Sequence, residues 1–216
     1  MSGNLLRLKD ALLWVAGWFG VMLFYTFLNV AVWRKLFPAA AEWLDLATAA
    51  ACAAGFLRLL KSRFAIRLFS RVTPGGVLLA ACCAALLFAL LDRGLDPLLE
   101  SAFPQSEAAY QEMLDALRRA PAASLLRVCV LAPVVEETLM RGLVLDGLQA
   151  GYGVGIALLV SAALFALLHF NMVQTLSALV CGLVLGLLYL KTGSVGCCIF
   201  AHAGYNLLSY LVMLRG

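Results

Sequence analysis

The chain has 216 residues, 64% of them hydrophobic and only 13% charged, with a mean hydropathy of +0.97 and a formal net charge of +4. A soluble domain carries roughly 25% charged residues, so this balance excludes a water-solvated globule and points to lipid as the solvent. The modest positive charge flanks apolar stretches and forms no basic stripe interleaved with aromatics, which argues against nucleic acid as a partner.

Apolar stretches of the roughly 17–25 residues needed to cross a bilayer recur along the whole chain. They fall at 11–33, 43–60, 75–91, 124–148, 153–170, 173–190 and 194–214. The expected fold is all-α, a polytopic membrane helical bundle of about seven transmembrane helices with its active site among the C-terminal four. Two units are expected. Residues 1–120 supply N-terminal membrane helices and an amphipathic segment, and residues 121–216 a catalytic helical core.

The first stretch opens on Arg7 and Lys9 but is too long for a signal h-region and lacks a small-x-small cleavage site, so it reads as a membrane span. Between the second and third spans lies KSRFAIRLFSR, with Lys61, Arg63, Arg67 and Arg71. Four cations beside membrane spans mark a cytoplasmic loop and place the N-terminus inside; Lys191 agrees with that orientation, whereas Arg34 and Lys35 oppose it. Residues 92–121 form the one long polar stretch. Within it SEAAYQEMLDALRRA spaces Tyr110, Met113, Leu114 and Leu117 as one helix face, with Ser106 as a candidate cap. It reads either as an interfacial helix or as a lid or substrate-entry element.

In the fourth span, LAPVVEETLMRGLVL sets Glu136, Glu137 and Arg141 among leucines and valines. Three charges at the centre of a spanning helix cost roughly 8–10 kcal/mol on insertion scales, and the surrounding leucines and valines return about half to two-thirds of that. The polar face therefore needs partners within a bundle. Glu137 and Arg141 are four apart in the favourable acid-first order and form a natural pair. Glu136 lies about 100° further round the helix and needs another mate. Asp45, Arg58, Arg127 and Asp146 lie nearer span ends and read as interfacial, snorkelling groups.

The two histidines are His169, four after Phe165 in FALLHF, and His202, four before Asn206 in AHAGYN. Gly182 and Gly186 make a GxxxG face in the sixth span, read as packing rather than chemistry. The seven cysteines all lie in apolar segments without CxxC spacing and read as small hydrophobes.

Carboxylate with imidazole is a general acid/base pair. Glu136 and His169 together are suited to deprotonating a water, and His202 with Asn206 to donating hydrogen bonds to an oxyanion. A zinc site is the rival, since two histidines and a glutamate are a catalytic ligand set, although HExxH is absent. An intramembrane protease, a non-catalytic membrane adaptor or immunity protein, and a transporter or proton relay all remain open on these residues alone.

EETLMR matches EExxxR, FALLH matches FxxxH and HAGYN matches HxxxN, in that order and on expected spans. Over roughly residues 120–214 the chain resembles the CPBP family, the CAAX prenyl protease type II and bacteriocin-processing (Abi) membrane proteins. The resemblance implies an intramembrane glutamate-type endopeptidase, working without a cofactor, on a protein or peptide substrate in the lipid bilayer, with a bacterial inner membrane as the setting. It implies that Glu136 and His169 activate water, that His202 and Asn206 form the oxyanion hole, and that Glu137 and Arg141 organise the site.

Overall fold

The computed structural model describes residues 5–215, with Glu107 described by its backbone alone. The first four residues, which the positive-inside argument places in the cytoplasm, lie outside that range. The described residues form eight helical runs: α1 (Leu8–Leu36), α2 (Pro38–Arg63), α3 (Pro74–Ala102), α4 (Pro104–Arg119), α5 (residues 121–152), α6 (Val154–Ala166), α7 (Met172–Thr192) and α8 (Val195–Met213).

Five of these, α1, α2, α3, α7 and α8, are long and apolar enough to cross a membrane by length and composition. The chain is an integral membrane protein. The other two expected spans differ from that description for separate reasons. In α5 the charges of the Glu-Glu-Arg stretch exceed what a lipid-facing span carries, and residues 138–145 are wholly buried by the rest of the bundle. The stretch 153–170 yields only the 13-residue α6, about 20 Å of helix against a hydrocarbon core of roughly 30 Å. Leu167, Leu168 and Phe170 prolong its hydropathy but not its helix.

Helix ends follow local chemistry. Pro74 opens α3 while Thr73 accepts from the Gly76 amide at 3.0 Å. Asn171 caps α7 through the amides of Val173 and Gln174. Gly193, at φ 61, ends α7 in the left-handed conformation that glycine favours, and Ser194 then caps α8. Ser106 is not the cap of α4: the helix begins two residues earlier at Pro104, whose fixed φ suits the first helical position.

The core is one apolar cluster running from Leu6 and Trp18 on the N-terminal side through Leu139, Leu143 and Leu185 to Ala201. α6 and α7 pack antiparallel through the GxxxG face. A Cβ on Gly182 would lie 3.0 Å from the Cα of Ala162 and 3.3 Å from its carbonyl oxygen, whereas one on Gly186 would meet the tip of Leu158 at 2.3 Å. Backbone cannot retreat as a leucine methyl can. Gly182→Ala is therefore expected to lower the unfolding midpoint in detergent more than Gly186→Ala, with an overpacking cost of about 1–3 kcal/mol at Gly182. Equal midpoints for the two variants would contradict this account.

Asp45 does not snorkel from the bundle as the sequence suggests. Asp45 is 2% exposed and takes an ion pair from Arg127, 82 residues later, so α2 and α5 neutralise each other across the bundle.

Candidate functional site

Pro133 lies inside α5, where it has no N–H to offer the preceding turn. The helix widens to a π-turn over Arg127–Leu131, in which the carbonyl of Val128 would look five residues ahead to that missing donor. Asn206 on α8 supplies it instead, through Nδ2 at 2.8 Å. A second π-helical stretch, Thr138–Leu145, carries Arg141. Glu136 and Glu137 thus sit between two widened stretches, the first joined to α8 and the second holding Arg141.

Glu137 and Arg141 are both 0% exposed and form the expected pair, with Nη1 to Oε1 and Nε to Oε2 each at 3.1 Å. Arg141 also donates through Nη2 to the Gly182 carbonyl at 2.9 Å and lies over the Phe165 ring at 5.0 Å. The GxxxG face therefore does more than pack, because the close approach at Gly182 presents a carbonyl to the buried guanidinium.

His202 stands between the two glutamates. Its Nδ1 is 2.9 Å from Glu137 Oε1, and its Nε2 is 3.9 Å from Glu136 Oε2. A carboxylate oxygen only accepts, so Nδ1 carries the hydrogen in that contact. Phe165 holds the His202 ring edge-on at 5.7 Å and the His169 ring at 5.3 Å.

His169 is not in a helix. It follows the last turn of α6 in the link to α7, with its backbone held by Ala166 and Thr175 and its Nδ1 3.2 Å from the Phe165 carbonyl. That contact also needs the hydrogen on Nδ1, which leaves Nε2 as the basic nitrogen.

A cavity of about 400 Å³ lies among α3, α4, α5, α7 and α8. Glu136, His169, His202 and Asn206 are on its wall; Glu137 and Arg141 are behind it. The structure thus gathers four of the six sequence candidates around one space and sets the other two as their support. It sets His202 Nε2 3.9 Å from Glu136, and among the described residues no hydrogen bond joins Glu136 to either histidine. Sequence reasoning passed over Tyr205 and Ser177 on the same wall, and Asp92 and Asp96 of α3. The only signal for the two acids was the break in hydropathy at residue 92. Asp96 takes a hydrogen bond from Ser177. As for a metal, Glu137 is already engaged by Arg141 and His202, and among the described residues no three His, Cys, Asp or Glu side chains form a group able to hold one.

Residues 118–208, the stretch that carries all six of these side chains, match a family model described as type II CAAX prenyl endopeptidase Rce1-like. No curated protein and no solved structure matches the chain.

Proposed function

With residues 118–208 belonging to the Rce1-like family of type II CAAX prenyl endopeptidases, we propose that this membrane protein is an intramembrane endopeptidase. It hydrolyses a peptide bond of a membrane-anchored or exported substrate with a water held between Glu136 and His202 and deprotonated by Glu136, while His169 assists the proton transfer. The observation that carries the reading is the joint placement of Glu136, His169, His202 and Asn206 on the wall of one cavity inside a membrane bundle.

The 3.9 Å between Glu136 Oε2 and His202 Nε2 is too long for a hydrogen bond, and one water spans it with contacts of about 2.8 Å. Glu136 takes a proton from that water as its oxygen attacks the scissile carbonyl carbon. The resulting oxyanion accepts from the second amide hydrogen of Asn206, the first being committed to Val128. His202 adds a donor at Nε2 when its ring carries both hydrogens. Collapse of the tetrahedral species breaks the C–N bond, and the proton held by Glu136 passes to the leaving amine. His169, basic at Nε2, assists this transfer on the same wall. Glu137 and Arg141 do not touch the substrate; they fix the tautomer and direction of His202.

On the positive-inside reading, the loop bearing Lys61, Arg63, Arg67 and Arg71 faces the cytoplasm. Arg71 lies against Gly193 at the C-terminal end of α7, while His169 and Asn171 sit at its N-terminal end, about 31 Å away for a 21-residue helix. Taken with the positive-inside reading, this separation supports a cavity opening toward the outer leaflet and an exported or membrane-anchored substrate.

The test is quantitative mass spectrometry of membrane and secreted protein termini in cells carrying wild type or Glu136→Gln at matched expression. A small set of proteins that lose their processed ends only in the variant supports the reading and identifies the substrate. Indistinguishable termini, with a phenotype that persists on deletion of the gene, would transfer the protein to the adaptor class.

A further inference from the structure

Residues 64–73, which join α2 to α3, contain no helix, yet the bundle holds them in one place. Phe64 meets the Trp14 ring edge-on at 5.6 Å. Buried Ile66 lies over Gly142, where a Cβ would come 2.8 Å from its Cγ2. Leu68 and Val72 close on Gly196 at the start of α8, where a Cβ would lie 3.0 Å from the Leu68 carbonyl oxygen and 2.7 Å from Val72 Cγ2. Phe64, Ile66, Leu68 and Val72 thus face the bundle, the alternation of an extended chain. Arg63, Arg67, Phe69 and Arg71 are left exposed between and beside them.

The three arginines are four residues apart, so neighbouring Cα atoms lie within about 14 Å of each other. Lys191 joins them, being exposed and two residues before Gly193, against which Arg71 lies. Among the described residues none of these four cations is in an ion pair. The acids at this end of the bundle are already engaged, Asp10 by Arg7 at 2.8 Å and Asp146 by the Tyr189 hydroxyl at 2.9 Å and the Gln149 amide at 3.0 Å. The arginine row therefore offers its charge outward.

Phe69 fixes the depth of that row. Its ring, 54% exposed, lies 6.1 Å from that of Phe200, which is 45% exposed and about 8 Å along the spanning helix α8. Phe69 therefore reaches the level of acyl chains, while Arg71 stays at the end of α7, against Gly193. A ligand for this surface is anionic at one end and apolar at the other. Free phosphate lacks the second property and an acidic protein segment lacks it too.

We propose that Arg63, Arg67 and Arg71, with Lys191, form a fixed dock for the phosphate of an anionic phospholipid, whose acyl chains lie against Phe69 and Phe200. The guanidinium fork matches phosphate oxygens two at a time. A freely moving basic loop would gather such lipids diffusely; seating on Gly142 and Gly196 makes this one a site. The dock is independent of the protease reading and of which side of the membrane the loop faces.

The test uses the purified full chain in dodecyl maltoside, where orientation plays no part. Dioleoyl phosphatidylglycerol and dioleoyl phosphatidylcholine are titrated in, and bound lipid is counted by native mass spectrometry. Arg63→Gln, Arg67→Gln and Arg71→Gln together are expected to lower the apparent affinity for phosphatidylglycerol about a hundredfold, the effect of three arginines lost beside an anionic lipid. Binding of phosphatidylcholine should not change, nor should the unfolding midpoint without added lipid. Arg34→Gln, Lys35→Gln and Arg215→Gln remove as many cations from the other end of the bundle and should leave phosphatidylglycerol binding as in wild type. An unchanged affinity in the first variant, or an equal loss in the second, would overturn the dock. So would displacement of phosphatidylglycerol by equimolar glycerol 3-phosphate, which carries the phosphate without the chains.

Discussion

Replacing Arg141 by methionine is expected to destabilise the bundle by about 3–5 kcal/mol, the cost of breaking a buried pair from one side. The guanidinium is 0% exposed and serves three elements at once: Glu137 one turn earlier in α5, the Gly182 carbonyl on α7 and the Phe165 ring on α6. Without it Glu137 keeps only the His202 contact, and a carboxylate stays enclosed with one oxygen unanswered. The loss is specific to leaving that charge behind. Arg141→Met combined with Glu137→Gln removes both charges, yet Gln retains an oxygen for His202 Nδ1. The double variant should therefore recover at least 1 kcal/mol relative to the single one, a coupling of the size found for residues in one network. Unfolding midpoints in a denaturing-detergent titration measure both. A double variant no more stable than Arg141→Met would show that the charge pair is not what holds these helices.

Glu136→Gln should behave in the opposite way. Its side chain is 16% exposed, faces the cavity and makes no direct hydrogen bond among the described residues. An isosteric amide there is expected to leave the unfolding midpoint within about 0.5 kcal/mol of wild type. Cleavage should nevertheless fall by about 10²- to 10⁴-fold, the usual contribution of a positioned general base, because an amide cannot take a proton from water. The contrast between neighbours is the informative result. Residue 136 is expected to govern turnover and residue 137 the fold. If Glu136→Gln retained cleavage at matched expression, the base would have to be sought elsewhere on the cavity wall.

Much of this arrangement was readable before the structure, wherever it depended on spacing along one helix. Four residues separate Glu137 from Arg141, and the pair forms. The GxxxG of α7 announces a close neighbour, and Ala162 is there. What depended on contacts between distant segments was not readable. Nothing near Asp45 or Arg127 in sequence shows that they meet, so both passed for interfacial charges. Motif order joins Glu136 to His169 on one cavity wall but does not show that folding brings His202 between the two glutamates, where Asn206, one turn further along α8, takes up the Val128 carbonyl that Pro133 leaves without a donor. The length of α6 was misjudged because hydropathy scores Leu167, Leu168 and Phe170 alike in helical and unwound backbone.

That shortfall in α6 acts on the lipid as well as on the chain. A 13-residue helix covers about 20 Å, and beyond it Leu167 and Phe170 project outward, 67% and 72% exposed, from backbone that is no longer helical. A helix this short offers acyl chains less height than the hydrocarbon core, a mismatch that a bilayer accommodates by thinning beside it. A peptide approaching through a flank thinned in this way leaves hydrocarbon sooner than anywhere else around the bundle. With water nearer, its own backbone hydrogen bonds lose the solvent penalty that keeps a membrane segment helical. On the protease reading, a bilayer thinned beside one short helix would thus help to unwind the peptide that the cavity receives.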